Sequence, residues 1–354
     1  MELTGSPRER GYRYGEDCKD TIQHLLDAHY VFYDREIKIS KGMLVNEASK
    51  LISFVDEYSP EIAEEMRGTA EGAGVKYEEI LVLSGFIELY YPKIFGGCTT
   101  LAVSSKVTSD GETYIAQNND EALNPWLEGD CVVLLKIRRK TGPDVLTYAY
   151  VGVPGMMGVN SAGIGLCINA LLCEISTIGA PLLTVTREIL HQKTLEDAMN
   201  AVKRAKRGNS LNFGLADSKG RICDIECTPK SVDCLFVDDQ YFVHTNHFLS
   251  KKIGIAKDII RESGMGFGRD SVFRYERMNT LINEKKGRVD LQTIISFFRD
   301  HENYPDSICR HVNLKDSVAE KAKTFDSMIF ATSQKKAWIT RGNACENEYH
   351  PYEI

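Results

Sequence analysis

The sequence predicts an α+β protein with antiparallel sheets, on three observations. Apolar residues fall at helical spacing through residues 1–93. At Gly96-Gly97-Cys98-Thr99-Thr100 the pattern switches to short β-branched runs separated by turn residues. Helices then return only between two groups of strands, an order of segments that argues for an antiparallel α+β architecture.

Each element has its own signal. Ser59-Pro60-Glu61 reads as a helix start, with Ser as N-cap, Pro at the first helical position and an acid in the first turn. Gly72-Ala73-Gly74 ends that helix. The next runs over Tyr77–Tyr91 and stops at Pro92. Leu101–Val107 and Glu112–Asn118 flank Asp110-Gly111 as a hairpin with a two-residue turn. Cys131–Arg138 and Val145–Val151 are the next strands, and Val159–Ala170 with its glycines is a further pair. Two helices follow, the second from Thr194 to about Arg207, opened by Thr194 with Asp197 and closed by Gly208. Asn212–Ala216 with Arg221–Glu226, and Val232–Val237 with Tyr241–Thr245, read as two hairpins. Helices fill His247–Glu284 and Asp290–Asp300, and Ser327–Thr332 with Lys336–Thr340 is a last hairpin. Gly264-Met265-Gly266-Phe267-Gly268 lacks a preceding strand and a Lys-Ser/Thr ending, so it is a loop and not a phosphate cradle.

Composition narrows the function classes. The 354 residues allow about two domains. The net charge is −7, and all of it falls in residues 1–97, which hold 11 basic and 18 acidic side chains. This excludes a basic nucleic-acid binder. The basic run Lys203-Arg204-Ala205-Lys206-Arg207 is a helix end, where the dipole favours cations. The apolar stretch at Ile80–Tyr91 is broken by Glu88 and too short to span a bilayer. The first residues lack a signal-peptide core, so the expected location is cytoplasmic, and the ten cysteines are expected to be reduced and mostly buried. Cys223, Cys227 and Cys234 lack the tight spacing of a zinc knuckle, and Cys309 reads as packing. No metal and no cofactor is expected.

Cys98 carries the chemistry. Cutting the Gly97–Cys98 bond would start a strand with a residue bearing both a thiol and an α-amine. The thiolate is a strong nucleophile. The amine titrates near neutral pH, so one residue supplies nucleophile and base. Gly97, without a Cβ, tolerates the strained backbone that attack on its own carbonyl requires. With Asp110 and Gly111 as turn residues, Leu101 faces Asp120, and the carboxylate lies at the Cys98 end of the sheet. Asn246, just past Tyr241–Thr245, offers an amide donor for an oxyanion. His244 and His247 are not needed as bases beside a free amine.

Gly97-Cys98-Thr99-Thr100, Gln117-Asn118-Asn119-Asp120, His244-Thr245-Asn246-His247 and Tyr304-Pro305-Asp306-Ser307-Ile308-Cys309-Arg310-His311 together resemble the autoproteolytic penicillin acyltransferase (isopenicillin N acyltransferase-like) family. Gly5-Ser6-Pro7-Arg8-Glu9-Arg10-Gly11-Tyr12 is similar to its N-terminal pro-region. The resemblance implies an N-terminal nucleophile hydrolase, a four-layer αββα sandwich preceded by a helical pro-region. Residues 1–97 would form an α chain and residues 98–354 a catalytic β chain, associated after cleavage. Cys98 would be the autoprocessing and catalytic nucleophile, Asp120 would orient the new amine, and Asn246 would line the oxyanion hole. Arg310 would support the site or bind a substrate carboxylate. Gln117 stands where many members of the wider superfamily carry an Arg, at the substrate. The implied reaction is amide hydrolysis or acyl transfer through an acyl-thioester on Cys98, from a small N-acyl amide or acyl-coenzyme A, with no nucleic-acid or membrane partner. The alternatives are a bile-salt- or ceramidase-like amidase of the wider superfamily, and an uncleaved, non-enzymatic binding module that keeps the fold.

Overall fold

The helical signal of the first segment is met by β1 (Glu2–Leu3), α1 (Pro7–Asp17), α2 (Lys19–Phe32), a π-helical turn (Tyr33–Ile37), α3 (Lys41–Ser49), α4 (Ile52–Tyr58), α5 (Pro60–Ala73), α6 (Tyr77–Ser84) and α7 (Phe86–Tyr90). Strands follow as β2 (Cys98–Val103), β3 (Tyr114–Ala122), β4 (Val132–Ile137), β5 (Val145–Tyr150), β6 (Met157–Asn160) and β7 (Ile164–Ala170). Next come α8 (Leu182–Ile189), α9 (Leu195–Arg204), β8 (Leu211–Asp217), β9 (Ile222–Cys227), β10 (Val232–Phe236) and β11 (Tyr241–His244). Helices α10 (Ser271–Lys285) and α11 (Leu291–Phe298) precede β12 (Ala322–Ala331), β13 (Lys336–Arg341) and β14 (His350–Glu353). The computed structural model describes residues 1–90, 97–123, 130–236, 240–253, 258, 270–317 and 320–354. The Gly264–Gly268 loop lies outside them. No helix among the described residues is long and apolar enough to cross a membrane.

The chain forms two compact units. The first comprises residues 1–91, 124–158 and 176–209. Helix α1 opens on a capping box formed by Ser6 and Glu9 and packs along α5 at backbone contact. A Cβ on Gly11 would lie 1.8 Å from the Glu65 carbonyl oxygen, and one on Gly68 would lie 2.2 Å from that of Arg8. Glycine is therefore required on both helices. The Glu65 carboxylate, buried between them, binds Arg10 at 3.0 Å and Arg187 of α8 at 3.1 Å. Thr194 caps α9 by accepting from the Asp197 amide at 3.1 Å. The helix ends at Arg204, short of the expected Arg207 and Gly208; Arg207 lies beyond it and donates to the Val202 and Ala205 carbonyls, while Arg204 and Lys206 pair with Glu188 and Glu57. Ser59 differs from expectation. Its side chain makes no cap, and its hydroxyl donates to Glu188 at 2.7 Å.

The second unit comprises residues 92–123, 159–175 and 210–354. It holds a six-stranded antiparallel sheet in the order β11-β2-β3-β12-β13-β14 and an antiparallel run β7-β8-β9-β10. The two face each other closely: a Cβ on Gly165 would meet the Ile115 side chain at 2.8 Å. On the other face of the six-stranded sheet, Met278 and Ile282 of α10 and Ile294 and Phe298 of α11 pack on Leu101, Tyr114, Ala116 and Ile329. The class is α+β, and this unit alone supplies helix, sheet and sheet in successive layers.

Three further expectations are corrected. The β2–β3 ladder pairs Leu101 with Ala116 and Cys98 with Asn119, not Leu101 with Asp120. Residues 104–113 form a longer connection, in which Asp110 accepts from the Glu112 amide and the Tyr114 hydroxyl, and Thr108 donates to Glu112. The slip is even, so every side chain keeps its face. Secondly, β10 and β11 are not a hairpin. The first pairs with β9 and the second with β2, each on a different sheet. Thirdly, residues 247–253 are not helical, and the helix begins at Ser271.

Candidate active site

Cys98 opens β2 between two neighbours, β3 and β11, and is 5 % exposed. Asn246 follows β11 and reaches it with both ends of one amide. The Cys98 backbone N–H donates to Asn246 Oδ1 at 2.9 Å, and Asn246 Nδ2 donates to Cys98 Sγ at 3.1 Å. Arg274 Nη2 also donates to Oδ1 at 2.9 Å, and Nδ2 donates to the Ala170 carbonyl at 3.2 Å. Two donors on one side and an acceptor on the other fix which atom of the amide is oxygen. The Asn246 backbone is itself held by Ser271, whose hydroxyl accepts its N–H at 2.9 Å.

Asp120 ends beside the preceding residue. Its backbone N–H donates to the Gly97 carbonyl oxygen at 2.7 Å. Its Oδ1 accepts from Thr324 at 2.8 Å, while Oδ2 has no hydrogen-bond partner among the described residues. A Cβ on Gly97 would lie 3.1 Å from that oxygen and 3.2 Å from Arg274 Nη2, so the glycine fits between a carboxylate and a guanidinium. A register shift in β12 at Thr324/Asp326, opposite Asp120 and Asn119, brings Thr324 to the carboxylate. Burial pushes the Asp120 carboxyl up to about 7, against the pull of Arg274 and Arg310. Burial also raises the Cys98 thiol, and the Asn246 donor offsets part of that.

Arg310 is buried. It pairs with Asp270, and with Asp306 at 2.9 Å. Asp270 also binds Arg274 at 3.3 Å, and Arg274 donates to the Cys98 carbonyl at 2.7 Å. Arg310 therefore reaches the cysteine through two side chains. Gln117 is engaged elsewhere: it donates to the Ile168 carbonyl at 2.6 Å and accepts from the Ile168 amide at 3.1 Å, tying the two sheets together. His244 Nε2 faces Glu226 at 2.9 Å and Nδ1 faces the Thr245 carbonyl at 2.8 Å. Burial opposes its charge, but Asp224 and Glu226 outweigh it and hold the imidazolium up to about 9. Glu226 also accepts from the Leu249 and Ser250 amides, so this pair orders the turn that carries Asn246.

The sequence reading missed Arg274, Asp270, Asn169 and Thr324. Asn169 of β7 donates to the Cys98 carbonyl at 3.3 Å from the facing sheet. The only local signal was the Arg-Asp-Ser before α10, which resembles an ordinary helix start. The Asp270 side chain in fact makes no cap.

The unpartnered carboxylate has a measurable consequence. A carboxyl raised from 3.8 to about 7 favours the folded state below pH 3.8, and that contribution is lost as pH rises through about 7. The span corresponds to about 4 kcal/mol. In an uncleavable Cys98→Ala background, Asp120→Asn should therefore gain stability over its parent as pH rises from about 4 to 8. Thermal melts across that range check it, and parallel curves for the two proteins would remove the buried charge from the account.

The family model for acyl-coenzyme A:6-aminopenicillanic acid acyl-transferase matches residues 107–346, more than half of the chain, beginning beyond Cys98. The chain is 25 % identical over 343 residues to the acyl-coenzyme A:6-aminopenicillanic-acid-acyltransferase 40 kDa form of Emericella nidulans, covering 96 % of this chain and 91 % of the relative. It is also 25 % identical over 341 residues to an uncharacterized protein of Archaeoglobus fulgidus, covering 82 % of this chain but only 56 % of that longer protein. Among solved structures it is similar to a mutant conjugated bile acid hydrolase from Clostridium perfringens, with TM-score 0.46, 13 % identity, and 73 % and 97 % of the two chains covered. Penicillin V acylase from Agrobacterium tumefaciens gives 0.43, 12 %, 68 % and 82 %.

Proposed function

The chain belongs to the acyl-coenzyme A:6-aminopenicillanic acid acyl-transferase family, and from that premise we propose that it is a self-cleaving cysteine amidohydrolase or acyltransferase. The observation that carries the reading is the double hold of Asn246 on Cys98, with the Asp120 amide on the Gly97 carbonyl.

Maturation comes first. The Cys98 thiol attacks the Gly97 carbonyl carbon through a five-membered ring and gives up its proton. Asp120 Oδ2, raised, unpartnered and beside Gly97, is the base that takes it. The oxyanion forms on the Gly97 oxygen, which already accepts from the Asp120 N–H. The C–N bond breaks as Asp120 passes that proton to the Cys98 nitrogen, the acyl group passes to sulfur, and the nitrogen becomes an amine. Water then hydrolyses the thioester and leaves a carboxylate on Gly97. Residues 1–97 become the α chain and residues 98–354 the β chain.

In the mature site the amine replaces the peptide N–H on Asn246 Oδ1 and gives Asp120 Oδ2 its missing partner. It takes the thiol proton, and the thiolate attacks the acyl carbonyl of a small N-acyl amide or acyl thioester. Asn246 Nδ2 donates to the developing oxyanion, and Arg310 and Asp270 hold Arg274 against the Cys98 carbonyl. The leaving amine, or the leaving thiolate of a thioester, takes the proton, and water or a second amine then removes the acyl group from sulfur.

The test is capture of the intermediate. Cleaved protein is mixed with a panel of N-acyl amino acids and acyl-coenzyme A thioesters and quenched in acid. Intact mass should show the β chain heavier by one acyl group, removable by hydroxylamine. A fully cleaved chain that forms no adduct and turns over none of the panel would leave the fold as a binding module.

A further inference from the structure

Outside the candidate active site, four metal-ligating side chains converge at the other side of Arg310. They are His301, just after α11, Cys309 and His311, on either side of Arg310, and Cys345, in the turn after β13. One ligand atom from each lies within 4.8 Å of all the others. His301 Nε2 and His311 Nε2 are 3.1 Å apart, and Cys345 Sγ is 3.4 Å from His311 Nε2. Two imidazole nitrogens and two sulfurs around tetrahedral zinc have edges of about 3.3–3.8 Å, from metal distances of about 2.0–2.3 Å. We propose that His301, Cys309, His311 and Cys345 form a structural zinc site.

The surroundings fit a metal better than packing. Asn343 Nδ2 points at Cys309 Sγ at 3.7 Å, a donor suited to a thiolate. Glu346 Oε1 lies 3.9 Å from His311 Nδ1, the ring nitrogen that does not meet His301 or Cys345, at ion-pair and not hydrogen-bond distance. Tyr304 packs edge-on to the His301 ring and tilted against the His311 ring, with centroids 6.1 and 5.2 Å away. Cys309 is buried and the other three are partly or fully exposed, which leaves the metal a path in. Two histidines and two cysteines in this arrangement favour zinc over magnesium or calcium, which take oxygen ligands. The spacing hid the set: His301 is separated from Cys345 by the connection to β12 and the β12–β13 hairpin, and the sequence made Cys309 plain packing.

The role is to join three segments that share no regular pairing: the end of α11, the Arg310 loop and the turn after β13. The ligands flank Arg310 on both sides, so the ion fixes the backbone from which its guanidinium reaches Asp270. It touches neither Cys98 nor a substrate and has no part in bond making.

The test uses the full chain expressed with added zinc chloride. Elemental analysis after gel filtration should give one zinc per chain. His301→Gln with Cys345→Ser, of which His301 is exposed, should lose it while circular dichroism stays that of the parent. Exchange of the parent into cobalt(II) should give the visible bands of a tetrahedral centre and a thiolate-to-cobalt charge-transfer band, a readout that stands if the double variant fails to fold. Chelation should lower the melting temperature of the parent, and zinc chloride should restore it. Zinc content equal in parent and folded variant, no thiolate–cobalt band, or a Cys309–Cys345 disulfide in protein purified without oxygen would each overturn the proposal.

Discussion

Cys98→Ala should stay one 354-residue chain under conditions in which the parent separates into residues 1–97 and 98–354 on a denaturing gel. The effect is all or none, because alanine offers nothing to attack the Gly97 carbonyl. The geometry makes the variant informative. Alanine keeps the backbone N–H that donates to Asn246 and the carbonyl that accepts from Arg274, so the fold has no reason to change. Cys98→Ser retains an attacking oxygen but not the softer thiolate, and should cleave slowly. The β fragment of the parent should begin at Cys98 by N-terminal sequencing. A parent that stays intact, or a fragment that starts elsewhere, would end the self-cleavage reading. The helix-to-strand junction would then be structural.

The second large effect belongs to Asn246. In protein whose N-terminus at Cys98 is generated by other means, Asn246→Ala should lower kcat by about 10²–10³, or about 2.7–4 kcal/mol, as for other single oxyanion donors. The amide has two jobs, so one substitution cannot separate them. Asn246→Asp keeps an acceptor for the Cys98 nitrogen and for Arg274 but loses the donor at Sγ. It should remain cleavable or folded yet lose kcat, with KM little changed if the donor acts in the transition state. Wild-type kcat/KM in both variants, with the fold intact, would take Asn246 out of the mechanism.

Much of the fold was legible because it rests on local rules. The capping residue of α9, the glycine after α5 with its φ of +69°, and the β-rich runs that form β4 and β5 act over a few residues, and the chain obeys them. The switch at Gly97 was equally plain, since helical and strand periods cannot share a segment. Where long-range pairing decided, local reading failed. Val232–Val237 and Tyr241–Thr245 look like one hairpin because adjacency is the usual outcome, yet each strand completes a different sheet. That separation is what carries Asn246 to Cys98.

The sequence by itself determined the class of the fold, the place where helices give way to strands, and the residue types with which Cys98 could act. It named Asp120 and Asn246 at strand ends, although the register that led to Asp120 was displaced. Only the tertiary structure decided which atoms meet. Asp120 meets Gly97 through its backbone N–H as well as its carboxylate, Gln117 spends its amide on Ile168, and Arg310 is linked to Cys98 through Asp270 and Arg274. The physical reason is that a hydrogen bond is won or lost within a few tenths of an ångström. Burial then sets what each group is worth, pushing the Asp120 carboxyl up to about 7. Neither quantity is a property of neighbours along the chain, and both arise only once residues far apart in sequence share one buried space.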